Sequence, residues 1–239
     1  MKIGLFIPCL VDQFFPETGI ALVKLLKKAD VNFEYPFEQT CCGQPAYNTG
    51  YQKECIPIAK KFIDLFIHYD YIVAPSGSCL SMVKVHYPKL EFDDEYKKLS
   101  CELSNKVYEF SDFFVNVLKI TDFDSKFKGK VTYHDACHLL RELNIKDEPR
   151  ILMKNVKGLE LIESENHDKC CGFGGTFSVK FADLSDSMGI DKADGIIKTG
   201  ADFVVANDNS CLMQIQDALI KKNSKIKTIH LAELLAEGL

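Results

Sequence analysis

YIVAPSGSCL, residues 71–80, is an apolar run closed by Pro, Ser and Gly and followed at once by a cysteine. FVVANDNSCL, residues 203–212, repeats the pattern 132 positions later. Each reads as a buried strand ended by turn residues, as strands of a parallel sheet do. Each leads into a helical stretch, SCLSMVKVHY in one case and SCLMQIQDALIKKN in the other. Working outward, the first copy is preceded by IPC at Cys9 and TCCGQP at Cys41 and Cys42, the second by HDACHL at Cys137 and KCCGFGG at Cys170 and Cys171. Between single cysteine and doublet lie 31 residues in one copy and 32 in the other; between doublet and last cysteine lie 36 and 39. Three landmarks in one order at matched spacing mark an internal duplication.

The remaining segments fit the same scheme. KIGLFIP and KVTYHDA, rich in β-formers, lead into Cys9 and Cys137 as strands, and VNFEYP and LELIES supply two more. TGIALVKLLKKAD and QKECIPIAKKFIDLFIHY carry apolar residues at three- and four-residue spacing, the pattern of an amphipathic helix. The expected fold is therefore α/β: two homologous Rossmann-like βαβ halves related by a pseudo-two-fold duplication, with parallel sheets flanked by helices. Residues 91–130 read as a mostly helical connector, which puts the halves at 1–128 and 129–239. Ligands of open parallel sheets gather at the carboxyl ends of the strands. That edge is where the single and last cysteines fall, with the doublets on loops beside them.

Composition narrows the chemistry. The chain has 239 residues, a net charge of −5 and no long basic run, so the electrostatic footprint of a nucleic-acid binder is missing. No stretch of 18 apolar residues offers a membrane span, and the opening MKIGLFIPCLVDQFFP lacks the cleavage pattern of a secretory signal. A cytoplasmic protein is expected, and ten cysteines in a reducing compartment point to metal or redox chemistry rather than disulfides. Cys55 and Cys101 have no counterpart in the other half and read as packing residues.

Iron–sulfur clusters are held by deprotonated cysteine sulfur, usually four per cluster, and each half supplies four: Cys9, Cys41, Cys42 and Cys79, then Cys137, Cys170, Cys171 and Cys211. Structural zinc is the inorganic rival, but its ligands usually come in pairs two to four residues apart, a spacing absent here. A metal-free dithiol site lacks its CxxC. Gly43 and Gly172 allow backbone N–H groups near a cluster or make a tight turn. His134 and His138 flank Cys137, close enough to ligate or to hydrogen-bond a cluster sulfur; the plainer reading is that they cap the strand end or order its loop. No hydrolase triad, phosphate loop or dinucleotide fingerprint is present.

IPC, TCCGQP, PSGSCLSMV, CCGFGGTFSV and SCLM together resemble the cysteine-rich CCG domain that occurs twice in the cysteine-rich subunit of heterodisulfide reductase, in the iron–sulfur subunit of glycolate oxidase and in the lactate-utilisation protein A family. The resemblance covers nearly the whole chain and is greatest to the lactate-utilisation type. It implies an iron–sulfur electron-transfer subunit of a complex oxidising L-lactate to pyruvate, acting with a ferredoxin-like iron–sulfur subunit and a third subunit. One departure stands out. The family motif ends in CxxC, whereas Ser76 and Cys79, and Asp208 and Cys211, occupy those positions here. Four thiolates per half suit an ordinary [4Fe–4S] cluster, up to one per half, with Ser76 and Asp208 as turn or helix-capping residues or as oxygen ligands. A heterodisulfide- or quinone-reductase subunit and a non-redox scaffold with structural zinc are the alternatives.

Overall fold

The computed structural model describes residues 1–239. The first half runs β1 (Ile3–Leu5), α1 (Cys9–Phe14), α2 (Pro16–Lys28), β2 (Phe33–Glu34), α3 (Gln44–Asn48), α4 (Gln52–Phe66), β3 (Tyr71–Ala74), α5 (Gly77–Ser81), α6 (Asp94–Ser104), β4 (Val107–Glu109) and α7 (Phe110–Asp112). The second runs β5 (Lys126–Tyr133), α8 (Cys137–Arg141), α9 (Asp147–Lys154), β6 (Lys157–Leu161), α10 (Thr176–Lys180), α11 (Ala182–Lys198), β7 (Phe203–Ala206), α12 (Asn209–Lys221), β8 (Lys227–His230) and α13 (Leu231–Ala236). Each half holds a four-stranded, all-parallel sheet, ordered β2-β1-β3-β4 in one and β6-β5-β7-β8 in the other. The strand order reverses between β1 and β3, and again between β5 and β7, so each half has a switch point where its sheet opens a crevice.

Local sequence explains the elements. Pro16 opens α2 at a position that needs no backbone N–H, and Lys27 and Lys28 close it where the helix dipole favours cations. Its buried face is Thr18, Ala21, Leu22, Leu25 and Leu26, the spacing of one helical stripe. Asp93 caps α6 by accepting from Tyr96 N at 3.0 Å.

The connector departs from expectation. Val107–Glu109 is not helical; it adds β4 to the first sheet through pairing of Ile72 with Val107 and Ala74 with Glu109. Three residues are too few for periodicity to separate strand from helix, and the long-range ladder decides. Residues 113–118 form a π-helical turn. The expected boundary at residue 128 lies inside β5.

The halves are fused by a shared core. Leu22, Leu25 and Leu26 of α2 belong to one buried cluster with Tyr133 of β5 and Leu231 and Leu235 of α13, because α13 crosses back to pack on α2. Beside this apolar seam lies a buried polar one. Tyr133 OH donates to Asn207 Oδ1 at 2.9 Å, Asn207 Nδ2 donates to Glu109 Oε1 at 3.0 Å, and Ser111 N donates to Glu109 Oε2 at 2.8 Å. Closer to the crevices, α5 packs on α8 with no room to spare. A Cβ on Gly77 would lie 2.8 Å from Leu139 Cβ and 3.1 Å from Asp208 Oδ2.

Two outcomes follow from this interface. Gly77→Ala forces α5 and α8 apart and is expected to cost about 1–3 kcal/mol in urea unfolding; an unchanged midpoint contradicts the contact. Burial pushes Glu109 up to about 8, against an ordinary value near 4.5, despite the hydrogen bonds it accepts. Between those values the folded chain holds a proton that the unfolded chain has released, so Glu109 withdraws stability as pH rises from about 4.5 to about 8. The unfolding free energy of the native protein relative to Glu109→Gln is therefore expected to fall across that window, and a flat difference refutes the assignment.

Candidate metal centre

Four cysteines sit where strands end. Cys9 begins α1 just after β1, and Cys79 lies in α5 just after β3; Cys137 begins α8 after β5, and Cys211 lies in the first turn of α12 after β7. The doublets occupy the loops after β2 and β6. Gly43 and Gly172 hold these loops in left-handed backbone, φ +85° and +89°. An added Cβ at either would also meet an atom 2.7 Å away, Cys55 Sγ in one loop and Ser185 O in the other. Each glycine points its N–H at the first sulfur of its doublet, 3.4 Å from Cys41 Sγ and 3.4 Å from Cys170 Sγ.

All eight of these cysteines line one cavity of about 350 Å³ at the junction of the two halves. Sequence spacing gathers four sulfurs per half; the packing of the halves then sets the two groups of four face to face. None is in a disulfide. Within a half the thiols form a string: Cys9 interacts with Cys41, Cys41 with Cys42, and Cys42 with Cys79; in the second half Cys137, Cys170, Cys171 and Cys211 repeat the order. Thiols donating from both sides, first Cys42 and then Cys9, hold Cys41 far below the ordinary thiol range, with help from Gly43 N–H. Cys170 is lowered in the same way, by Cys137, Cys171 and Gly172 N–H. The donors are raised in turn, and burial adds to the rise at Cys42 and Cys171. Each string therefore favours the thiolate, the form that binds metal, at Cys41 and at Cys170.

Ser76 and Asp208 stand at equivalent places and behave differently. Ser76 caps α5, accepting from Cys79 N at 3.4 Å. Asp208 makes no side-chain cap for α12. Its carboxylate instead reaches into the first half, where Ser76 Oγ and Ser78 Oγ donate to Oδ1 at 2.8 Å and Ser78 N donates at 3.2 Å. Burial raises its pKa, and these donors restrain the rise. The capping expectation fails here because the nearest unmet donors belong to the other half.

The second half carries polar groups beyond His134 and His138 that sequence reasoning did not weigh: Lys192, Asp135, Arg150 and His167. Lys192 of α11 is buried, its Nζ donating to Asn166 O and, at 3.2 Å, to His167 O; burial pulls its pKa down to about 8. The signal for it was a lysine on the buried stripe of an amphipathic helix. Asp135, beside Cys137, is buried and receives both Arg150 guanidinium nitrogens, at 2.9 and 2.8 Å, and lies 2.7 Å from His167 Nδ1. His138 Nδ1 lies 3.7 Å from Cys137 Sγ. His134 is buried and neither ring nitrogen has a partner, so its ring does not cap the strand end. Burial first, then the Lys192 charge, pulls its pKa down to about 3 and keeps the ring neutral. Cys55 is buried as expected, but Cys101 is exposed on α6 and belongs to no buried cluster.

The cysteine-rich CCG domain matches this chain twice, over residues 3–84 and 131–216, each match enclosing one group of four. The chain is 45% identical to lactate utilization protein A of Geobacillus sp. (strain WCH70) over 98% of its own length and 99% of that protein. It is 44% identical to lactate utilization protein A 2 of Bacillus cereus (strain 03BB102), over 100% and 99%. The chain belongs to the lactate utilization protein A family of CCG-domain proteins. Its fold is shared with a hypothetical protein from Helicobacter pylori of known crystal structure, at TM-score 0.69 and 13% identity, with this chain spanning 49% of that one. No helix is long and apolar enough to cross a membrane.

The CCG strings predict a labelling order. In metal-free, reduced protein near neutral pH, iodoacetamide is expected to modify Cys41 and Cys170 before Cys42 and Cys171, read by mass spectrometry of timed samples. The reverse order rules out the thiolate placement.

Proposed function

We propose that this chain is an iron–sulfur electron-transfer subunit of a complex that oxidises L-lactate to pyruvate. The observation that carries the reading is eight unpaired cysteines around one cavity, in two sets of four. The donor set fits the group: sulfur alone in the first half, a thiolate already favoured in each string, and glycine N–H groups aimed at sulfur, the arrangement that stabilises an anionic cluster. Kinship with proteins named for lactate utilisation supplies the substrate. Cys9, Cys41, Cys42 and Cys79 would hold one cluster, and Cys137, Cys170, Cys171 and Cys211 the other, each of the [4Fe–4S] type. The halves would then be two CCG units divided near residue 128.

Clusters bound there supply one-electron carriers. The remaining work belongs to the chain. Lactate gives up two electrons and two protons on becoming pyruvate, and two cluster sites in one molecule would offer that pair of electrons two places. The common cavity is lined by both sets of ligands, so groups held there would lie within one site. No flavin or nicotinamide fingerprint accompanies them, so lactate oxidation itself falls to other subunits. A ferredoxin-like iron–sulfur subunit and a third subunit are the partners in this reading, in a cytoplasmic assembly.

Protein purified without oxygen is expected to be brown and to hold about eight irons with equal sulfide. Cys41→Ser and Cys170→Ser, one in each half, are each expected to halve that content. Deleting the gene is expected to stop growth on L-lactate. Zinc without acid-labile sulfide, or undiminished growth of the deletion strain, overturns the proposal.

A further inference from the structure

The two halves are not equivalent beneath their cysteines. Phe6 N donates to Val73 O at 2.9 Å and His134 N donates to Val205 O at 2.8 Å, so Phe6 and His134 occupy the same place after the first strand of their halves. Cys55 Sγ bonds Gly43 O and Ser185 Oγ bonds Gly172 O, which aligns α4 with α11 and sets Phe62 opposite Lys192, seven residues further on in each. In the first half Phe6 packs edge-on against Phe62, ring centroids 4.9 Å apart. In the second, an imidazole and an ammonium replace the two rings. The fold therefore has no need of a histidine there, since its twin builds the same corner from phenylalanine.

His134 is 1% exposed, and both ring nitrogens lack a hydrogen-bond partner. Leaving a buried polar group unmet costs about 1–3 kcal/mol, and a bound metal is one way to recover it. One ligand atom of His134 lies within 4.8 Å of both Cys171 Sγ and Cys211 Sγ, with the two sulfurs equally close to each other and all three residues buried. No such mixed group exists around Cys42 and Cys79, where the corresponding side chain is Phe6.

We infer that His134 is a nitrogen ligand of the second centre, beside Cys171 and Cys211, taking one of the two iron positions that Cys137 and Cys170 would otherwise fill, so that the duplicated halves hold chemically different metal sites. This rests on the metal-binding reading proposed above. A neutral imidazole brings less negative charge than a thiolate, and histidine in place of cysteine raises the potential of an iron–sulfur centre. The Lys192 ammonium, buried near Cys171 and Cys211, acts in the same direction. The second site is then the better electron acceptor of the pair. This gives the molecule a direction, with electrons coming to rest in the second half.

The test is pulsed EPR on the full-length, anaerobically prepared and reduced protein, at natural abundance and with ¹⁵N-histidine. A nitrogen coupling of directly bound imidazole is expected in one of the two cluster signals, replaced by its ¹⁵N counterpart on labelling. It should survive His138→Gln and vanish in His134→Phe, the residue of the first half, with at least half of the iron retained. A redox titration should show the higher of two potentials lost or lowered in that variant and the lower one unmoved. The labelled native protein answers the question even if His134→Phe fails to fold. Full iron and sulfide with no histidine coupling, or a coupling that persists in His134→Phe, overturns the ligand assignment and leaves the cluster reading standing. A native protein without iron and sulfide overturns both.

Discussion

Everything at this site depends on two parallel sheets presenting their carboxyl edges to one another. A parallel sheet delivers several chain segments to one edge, because each strand must cross back to the same end before it starts again. That geometry gathers Cys9, Cys42 and Cys79 from segments far apart in sequence. It does not by itself bring a second set alongside. The facing arrangement is held by contacts between halves: α13 on α2, α5 on α8, and the Asp208 carboxylate taking three donors from Ser76 and Ser78. Replacing Ser76 or Ser78 with the interface still closed would leave that buried carboxylate short of donors, which is the costly case.

The same clamp bears on the cofactor. In the position of a fifth cysteine, each half has an oxygen side chain, and in both halves that side chain is occupied. Ser76 serves α5 and Asp208, and Asp208 serves the first half. Neither is free to act as a further ligand while the interface is closed. The inner surface is thus limited to four sulfurs in the first half, and to four sulfurs with His134 in the second. Duplication supplied the scaffold, and divergence at two buried positions, Phe6 against His134 and Phe62 against Lys192, made the copies electrically unlike.

Much of this was legible in the sequence. The strands before Cys9, Cys79, Cys137 and Cys211 announce themselves because a buried parallel strand is a short apolar run and its end is a turn. The matched spacing of the doublets fixes which loops meet them. β4 was not legible, because VYE has no period of its own and becomes a strand only by pairing with β3. The single shared cavity was not legible either: it follows from packing between halves, which no local pattern encodes. Asp208 looked like a helix cap because the type and position are right; the carboxylate turned away because Ser76 and Ser78 offered stronger company. Cys101 was misplaced for a simpler reason, since a free cysteine on an amphipathic helix carries no mark of which face it takes. His134 was in view beside Cys137, and Lys192 was open to discovery by laying one half over the other, a comparison that the cysteines alone had already made possible.

Anomalous diffraction at the iron edge, from crystals grown and kept without oxygen, tests most directly whether the two groups of cysteines are metal-binding sites facing one another across one cavity. Two separate iron peaks are expected within that cavity, one bounded by Cys9, Cys41, Cys42 and Cys79 and the other by Cys137, Cys170, Cys171 and Cys211. Peaks only at the zinc edge, or a cavity whose cysteines are joined as disulfides in protein never exposed to air, would contradict that arrangement.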